Sequence, residues 1–127
     1  MHKMLLVGLG GFLGAILRYS IGGYVQDWSG SVTFPYGTLA VNLLGCFTIG
    51  FLSYLANIRG ALSPETRTFL IIGFLGSFTT FSTFANESTG LFLDGELPVA
   101  LLNIAAHVTF GVFAVWLGRT LAFVMWR

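Results

Sequence analysis

Gly73-Phe74-Leu75-Gly76-Ser77-Phe78-Thr79-Thr80-Phe81-Ser82-Thr83-Phe84 lies in the middle of an apolar span of a 127-residue chain. It is ill suited to an unbroken membrane helix. Glycines at 73 and 76 lower helix propensity, and the hydroxyl and β-branched residues between Ser77 and Thr83 lower it further. Irregular backbone at membrane depth must be buried in protein or line a wet cavity, because hydrocarbon offers it no hydrogen-bond partners. Phe81 and Phe84 are three residues apart and share a helical face, with the hydroxyls of Ser82 and Thr83 beside them. The stretch reads as an ion site within a broken helix and not as a membrane anchor.

The rest of the composition agrees with a lipid solvent. Hydrophobic residues make up 55% of the chain and charged ones 9%, more apolar surface than a soluble domain of this size can hide. A net charge of +1 and no basic patch argue against a nucleic-acid partner. Cys46 is the only cysteine, which excludes an intrachain disulfide and a cysteine-rich metal site; it reads as a small packing residue. Met-His-Lys before an apolar run imitates a signal peptide, but three more apolar spans follow, so this run reads as the first membrane helix.

The spans fall at about 4–24, 38–58, 66–93 and 98–126, which makes one all-α membrane domain whose third helix breaks near its middle. In the first span Gly10 and Gly14 form a small-xxx-small face for close helix approach. Gly8-Leu9-Gly10-Gly11 is no nucleotide loop, since no third glycine completes the spacing and no strand precedes it. Arg18 is the sole charge of this span and has two readings. It either snorkels to a nearby interface or stands at a vestibule.

Between Val25 and Tyr36 the chain turns polar and reads as an interfacial loop anchored by Trp28. Asn42 is the one strongly polar group inside the second span; it serves either as helix–helix glue or as an N–H donor to an anion. Ser63-Pro64 reads as an N-cap followed by proline at the first helical position. Glu87, three residues past Phe84, reads as a mouth-lining carboxylate or as an acceptor orienting Asn42. Asn86-Glu87-Ser88 matches a glycosylation sequon that its place in a membrane helix makes meaningless. His107 shares a face with Asn103 in the fourth span and reads as a satisfied polar residue or as a polar group marking a pathway, with no second His or Cys to make a metal site. Lys3, Arg59, Arg67, Arg119 and Arg127 fall toward one side and Arg18 toward the other, so both termini are expected in the cytoplasm.

Three motifs in order resemble a known family. Gly14-Ala15-x-x-Arg18, Gly37-Thr38-Leu39-x-Val41-Asn42-Leu43 and the stretch from Gly73 to Phe84 are similar to those of the small dual-topology bacterial fluoride channels, Fluc or CrcB. The likeness covers essentially the whole chain. It implies a multi-pass protein of the bacterial cytoplasmic membrane, not an enzyme, in which fluoride leaves passively through two pores per antiparallel homodimer. It implies that Phe81 and Phe84 line the paths, that Asn42 reaches into them, and that Thr38, Ser82 and Thr83 supply hydroxyls. It also implies a structural sodium ion held by backbone carbonyls that map to Gly76 and Thr79. The chemistry of the residues agrees, because aromatic edges are positive and can, with an amide and hydroxyls, replace the water of a small anion.

Three features depart from the family pattern. Ser77 stands where a second glycine is common, and Gly111 and Val115 stand where hydroxyls are common. The Lys and Arg distribution is lopsided for dual insertion, which leaves an oppositely oriented homologue as the other expected partner. Two rival functions remain from the sequence: a small four-helix multidrug–proton transporter, and a non-conducting membrane scaffold. The transporter needs a carboxylate in the first span, where this chain has Arg18.

Overall fold

Among the described residues of the computed structural model, four helices are long and apolar enough to cross a membrane. They are His2–Ser29, Tyr36–Asn57, Pro64–Leu93 and Leu97–Met125. The structure describes residues 1–58 and 60–126, so the expected sidedness of Arg59 and Arg127 lies outside the described residues.

The first helix, α1 (His2–Ser29), runs past the polar residues Gln26 and Asp27 and stops at Gly30. Gly30 has φ 63°, a left-handed conformation that glycine adopts without strain, and its N–H returns to the Asp27 carbonyl. Gln26 then closes the loop to the second helix, α2 (Tyr36–Ile58). Its Nε2 donates to the Ser31 carbonyl at 2.6 Å and the Phe34 carbonyl at 3.2 Å, and its Oε1 accepts the Gly37 N–H at 3.0 Å.

Glycines set how closely the helices approach. In lipid there is little hydrophobic drive between helices, so association rests on close packing. A Cβ at Gly10 would fall on the Phe69 carbonyl, and one at Gly14 on the Phe74 carbonyl. This joins α1 to the third span backbone to backbone, along the face expected from the sequence. α2 meets the last helix in the same way: Cβ atoms at Gly50 and Gly118 would fall on the carbonyls of Val115 and Phe47. Tyr54, Leu55 and Ala122 are buried beside that seam.

The third span has several pieces. Ser63 caps the short helix α3 (Pro64–Arg67), its Oγ accepting the Thr66 N–H at 3.1 Å, with proline at the start as expected. A π-helical segment follows, Thr68–Leu75, then α4 (Gly76–Phe78). Wide turns of this kind recur near functional sites. Thr79 (φ −84°, ψ 156°) and Thr80 (φ −149°, ψ 110°) are extended, and α5 (Phe81–Leu93) begins afresh. The helix is broken, at Thr79–Thr80; Gly76 itself stays helical at φ −60°, ψ −30°.

The two halves of this span pack against different neighbours. The leading half lies on α1, while α5 lies on α6 (Leu97–Met125). Val41, Leu75 and Phe78 form a buried cluster just below the break. Much of the outer surface is apolar, with Leu9, Phe12, Val112 and Phe113 exposed, as suits helices facing hydrocarbon.

Candidate functional site

Breaking a helix inside a membrane strands backbone groups, and the chain answers this with side chains. The Thr80 N–H donates to Asn42 Oδ1 at 2.8 Å, and Asn42 Nδ2 donates to the Thr80 carbonyl at 3.1 Å. One carboxamide thus satisfies both polar groups of the extended residue, as a neighbouring peptide would. Thr80 also caps α5. Its Oγ1 accepts the Thr83 N–H at 3.2 Å and donates to Thr83 Oγ1 at 2.9 Å. Ser82 Oγ lies 3.3 Å from the same Thr80 hydroxyl.

Two clefts meet at this break. The larger, about 880 Å³, is lined by Arg18, Thr38, Thr80, Thr83 and Glu87, with Asp94 and Glu96 at the loop beyond. The smaller, about 380 Å³, is lined by Asn42, Gly76, Thr79, Thr80, Phe81 and Phe84, with Cys46 and His107 on the α2 and α6 sides. Thr80 borders both. Among the described residues no Asp, Glu, Lys or Arg lines the smaller cleft, whereas the larger has one arginine and three carboxylates.

The residues singled out by sequence therefore divide into two groups, apart from Ser82, which is in the lining of neither cleft. Phe81, Phe84, Asn42, Gly76, Thr79 and His107 come together on one side of the break. Arg18, Thr38, Thr83 and Glu87 come together on the other. Glu87 is tied to Thr38, whose hydroxyl donates to Oε1 at 2.6 Å; Glu87 does not orient Asn42. Arg18 lines the larger cleft.

Phe81 and Phe84 stand with ring centroids 5.5 Å apart and planes tilted by 58°. Phe81 is 78% exposed, so most of its ring faces outward from the chain. Phe84 is held more closely, with the His107 ring 4.3 Å away. His107 Nδ1 lies 3.0 Å from the Asn103 carbonyl, and fully buried Asn103 donates from Nδ2 to Ser88 Oγ at 3.0 Å.

The break also changes the surroundings of the Gly76 and Thr79 carbonyls. In a continuous helix the Gly76 carbonyl would take the N–H of Thr80, which goes instead to Asn42. The Thr79 carbonyl would take the N–H of Thr83, which goes to the Thr80 hydroxyl. The Thr79 N–H, the other near donor, is committed to Leu75. Both carbonyls thus lose their ordinary partners at one edge of the smaller cleft.

Thr80, Ser88 and Gln26 escape a reading by sequence. Thr80 does carry a usable signal, a threonine three residues ahead of Thr83 at a helix start. Ser88 carries none, because its Asn103 partner lies on another span, and Gln26 carries none, because its partners are backbone groups of the loop that follows.

Comparisons with known proteins follow the same lines. The family model described as CrcB-like protein, Camphor Resistance (CrcB), matches residues 5–119. "Fluoride-specific ion channel FluC 1" of Methanosarcina acetivorans is 50% identical over 119 residues, 94% of this chain and 89% of that relative. "Fluoride-specific ion channel FluC" of Shewanella halifaxensis is 46% identical over 123 residues, 97% of this chain and 98% of that one. "Fluoride-specific ion channel FluC 3" of Methanosarcina barkeri is 47% identical over 122 residues, covering 96% and 91%.

Proposed function

The chain belongs to the CrcB-like family, and from that premise we propose that it is a fluoride-selective ion channel. It is a multi-pass protein of the cytoplasmic membrane that lets fluoride leave passively, and no catalytic step is assigned to it. One observation supports this most: a helix break, tied by Asn42, with a charged cleft on one side and an uncharged, phenylalanine-lined cleft on the other. A strongly hydrated small anion must exchange its water for protein donors to enter such a passage. The Thr83 hydroxyl serves at the larger cleft, where the Thr38 hydroxyl is engaged with Glu87; ring edges of Phe81 and Phe84 and the Asn42 amide serve at the smaller. Aromatic edges are positive without carrying full charge, so the ion is held and still released.

Electrode-detected efflux from reconstituted vesicles tests the reading. Fluoride should leave without a proton gradient, while chloride-loaded vesicles stay tight. Drug–proton exchange in place of fluoride leak would establish the transporter, and silence toward both would establish the scaffold.

The channel is proposed to work as an antiparallel homodimer. Phe81 is 78% exposed in the single chain, and a second copy on that face would enclose the ring against a path. Cysteine introduced at Lys3 or Asp94, with Cys46 replaced by alanine, should label from both sides of the membrane in cells. Strictly one-sided labelling at both sites would overturn the homodimer in favour of an oppositely oriented homologue.

A structural sodium ion is proposed at the Gly76 and Thr79 carbonyls, completed by the same carbonyls of the second copy. Such an ion supplies fixed positive charge that offsets the cost of an anion in low dielectric. Exchanging sodium for N-methyl-D-glucamine during purification should lower the dimer fraction and abolish fluoride efflux. Unchanged assembly and flux after that exchange would remove the ion from the account.

A further inference from the structure

Phe84, Ser88, Asn103 and His107 form a closed ring of contacts between α5 and α6. The Ser88 hydroxyl donates to the Phe84 carbonyl at 2.8 Å, and Asn103 Nδ2 donates to Ser88 Oγ at 3.0 Å. The Asn103 carbonyl lies 3.0 Å from His107 Nδ1. A carbonyl only accepts, so Nδ1 carries the proton. The circuit closes where the imidazole lies against the Phe84 ring, with centroids 4.3 Å apart and planes inclined by 36°. Phe84 is thus gripped twice, by its backbone and by its ring.

We infer that His107 is a positioning residue that sets the plane of the Phe84 ring so that its edge meets the ion. The inference rests on the fluoride-channel reading. A phenyl ring is negative on its faces and positive at its rim, so its orientation decides whether it attracts or repels an anion. The imidazole lies tilted against the Phe84 ring with centroids 4.3 Å apart, and both residues line the smaller cleft, so the histidine restricts how the phenyl ring can turn there. A freely turning ring would present its face part of the time. Asn103 has no exposed surface and fixes the imidazole through its carbonyl, so the orientation is set from the packed interior. A purely structural role for His107 needs only the volume of its side chain; the positioning role needs a flat ring.

Two substitutions separate these roles. His107→Phe keeps a flat ring against Phe84, and His107→Ile keeps bulk without one. Fluoride efflux should fall roughly tenfold in His107→Ile, the scale of a lost aromatic contact, and clearly less in His107→Phe, which keeps the flat ring but gives up the hydrogen bond to the Asn103 backbone carbonyl. Both proteins should be purified and shown to run as wild type does by size-exclusion chromatography. A second measurement does not depend on conduction. With meta-fluorophenylalanine placed at position 84, the fluorine spectrum should show two ring orientations in wild type and His107→Phe, and one averaged line in His107→Ile. Equal efflux in the two variants, or the same fluorine spectrum in all three proteins, would overturn the inference. Absence of fluoride efflux from wild type would overturn the channel reading instead, and the fluorine spectra would still report whether His107 orients the ring.

Discussion

Asn42→Asp is expected to abolish fluoride conduction while leaving a folded, assembled protein. In the native chain Oδ1 takes the Thr80 N–H and Nδ2 gives a hydrogen bond to the Thr80 carbonyl. Aspartate keeps the first contact and turns the second into two oxygens facing each other. It also sets a negative charge on the wall of the smaller cleft. At a separation of 4 Å and an effective dielectric of 20, that charge repels an anion by about 4 kcal/mol. Each 1.36 kcal/mol is tenfold in rate, so the expected loss is roughly a thousandfold. Efflux from vesicles checks it, with the melting temperature measured beside it. Wild-type flux from Asn42→Asp would confine Asn42 to holding the break together.

Phe81→Ile and Phe84→Ile carry the second large effect. Isoleucine preserves apolar bulk but removes the quadrupole, so any loss of flux reports ring chemistry and not packing volume. The chain has 13 phenylalanines, and these two stand beside the break with rings 5.5 Å apart. Each single change is expected to lower fluoride efflux roughly five- to thirtyfold, for one to two ring-edge contacts of roughly 1 kcal/mol apiece. Phe81→Ile should cost almost no stability in the single chain because its ring is exposed, whereas Phe84→Ile also gives up the contact with His107. Normal flux in both would remove the aromatic edges from the pathway.

Much of this was legible before any coordinates, and the reasons are physical. Four long apolar runs admit little besides four membrane helices. Glycines spaced by four, at 10 and 14, have an evident use in lipid, and they meet the backbone of Phe69 and Phe74. The break was legible as well, because glycines and clustered threonines resist a continuous helix. Its location was not. Gly76 permits a bend without requiring one, and the deciding contact comes from Asn42, 38 residues earlier in the chain. The π-helical segment Thr68–Leu75 has no mark in composition, since its residues suit an ordinary helix equally well.

Other gaps share that cause. Polar residues after 24 suggest a loop, yet Gln26 sits in α1 and its side chain organises the turn that follows. The pairing of His107 with Phe84 joins two spans that no local pattern connects. Glu87 meets Thr38, 49 residues earlier on α2, a partner that no local pattern marks.

The divided third span has a mechanical consequence. Its leading half is welded to α1 through glycine backbone, with no side-chain cushion to take up slack. Its trailing half, α5, is fastened to α6 by polar side chains. Any sliding of one helix pair against the other is therefore not shared along the span but concentrated in a two-residue joint, Thr79 and Thr80. That joint has a strut, the carboxamide of Asn42, braced from α2. The smaller cleft is bordered by both halves of the span and by α2, so a methyl group added at Gly10 or Gly14, which would push on the backbone of the leading half, would shift its width through leverage.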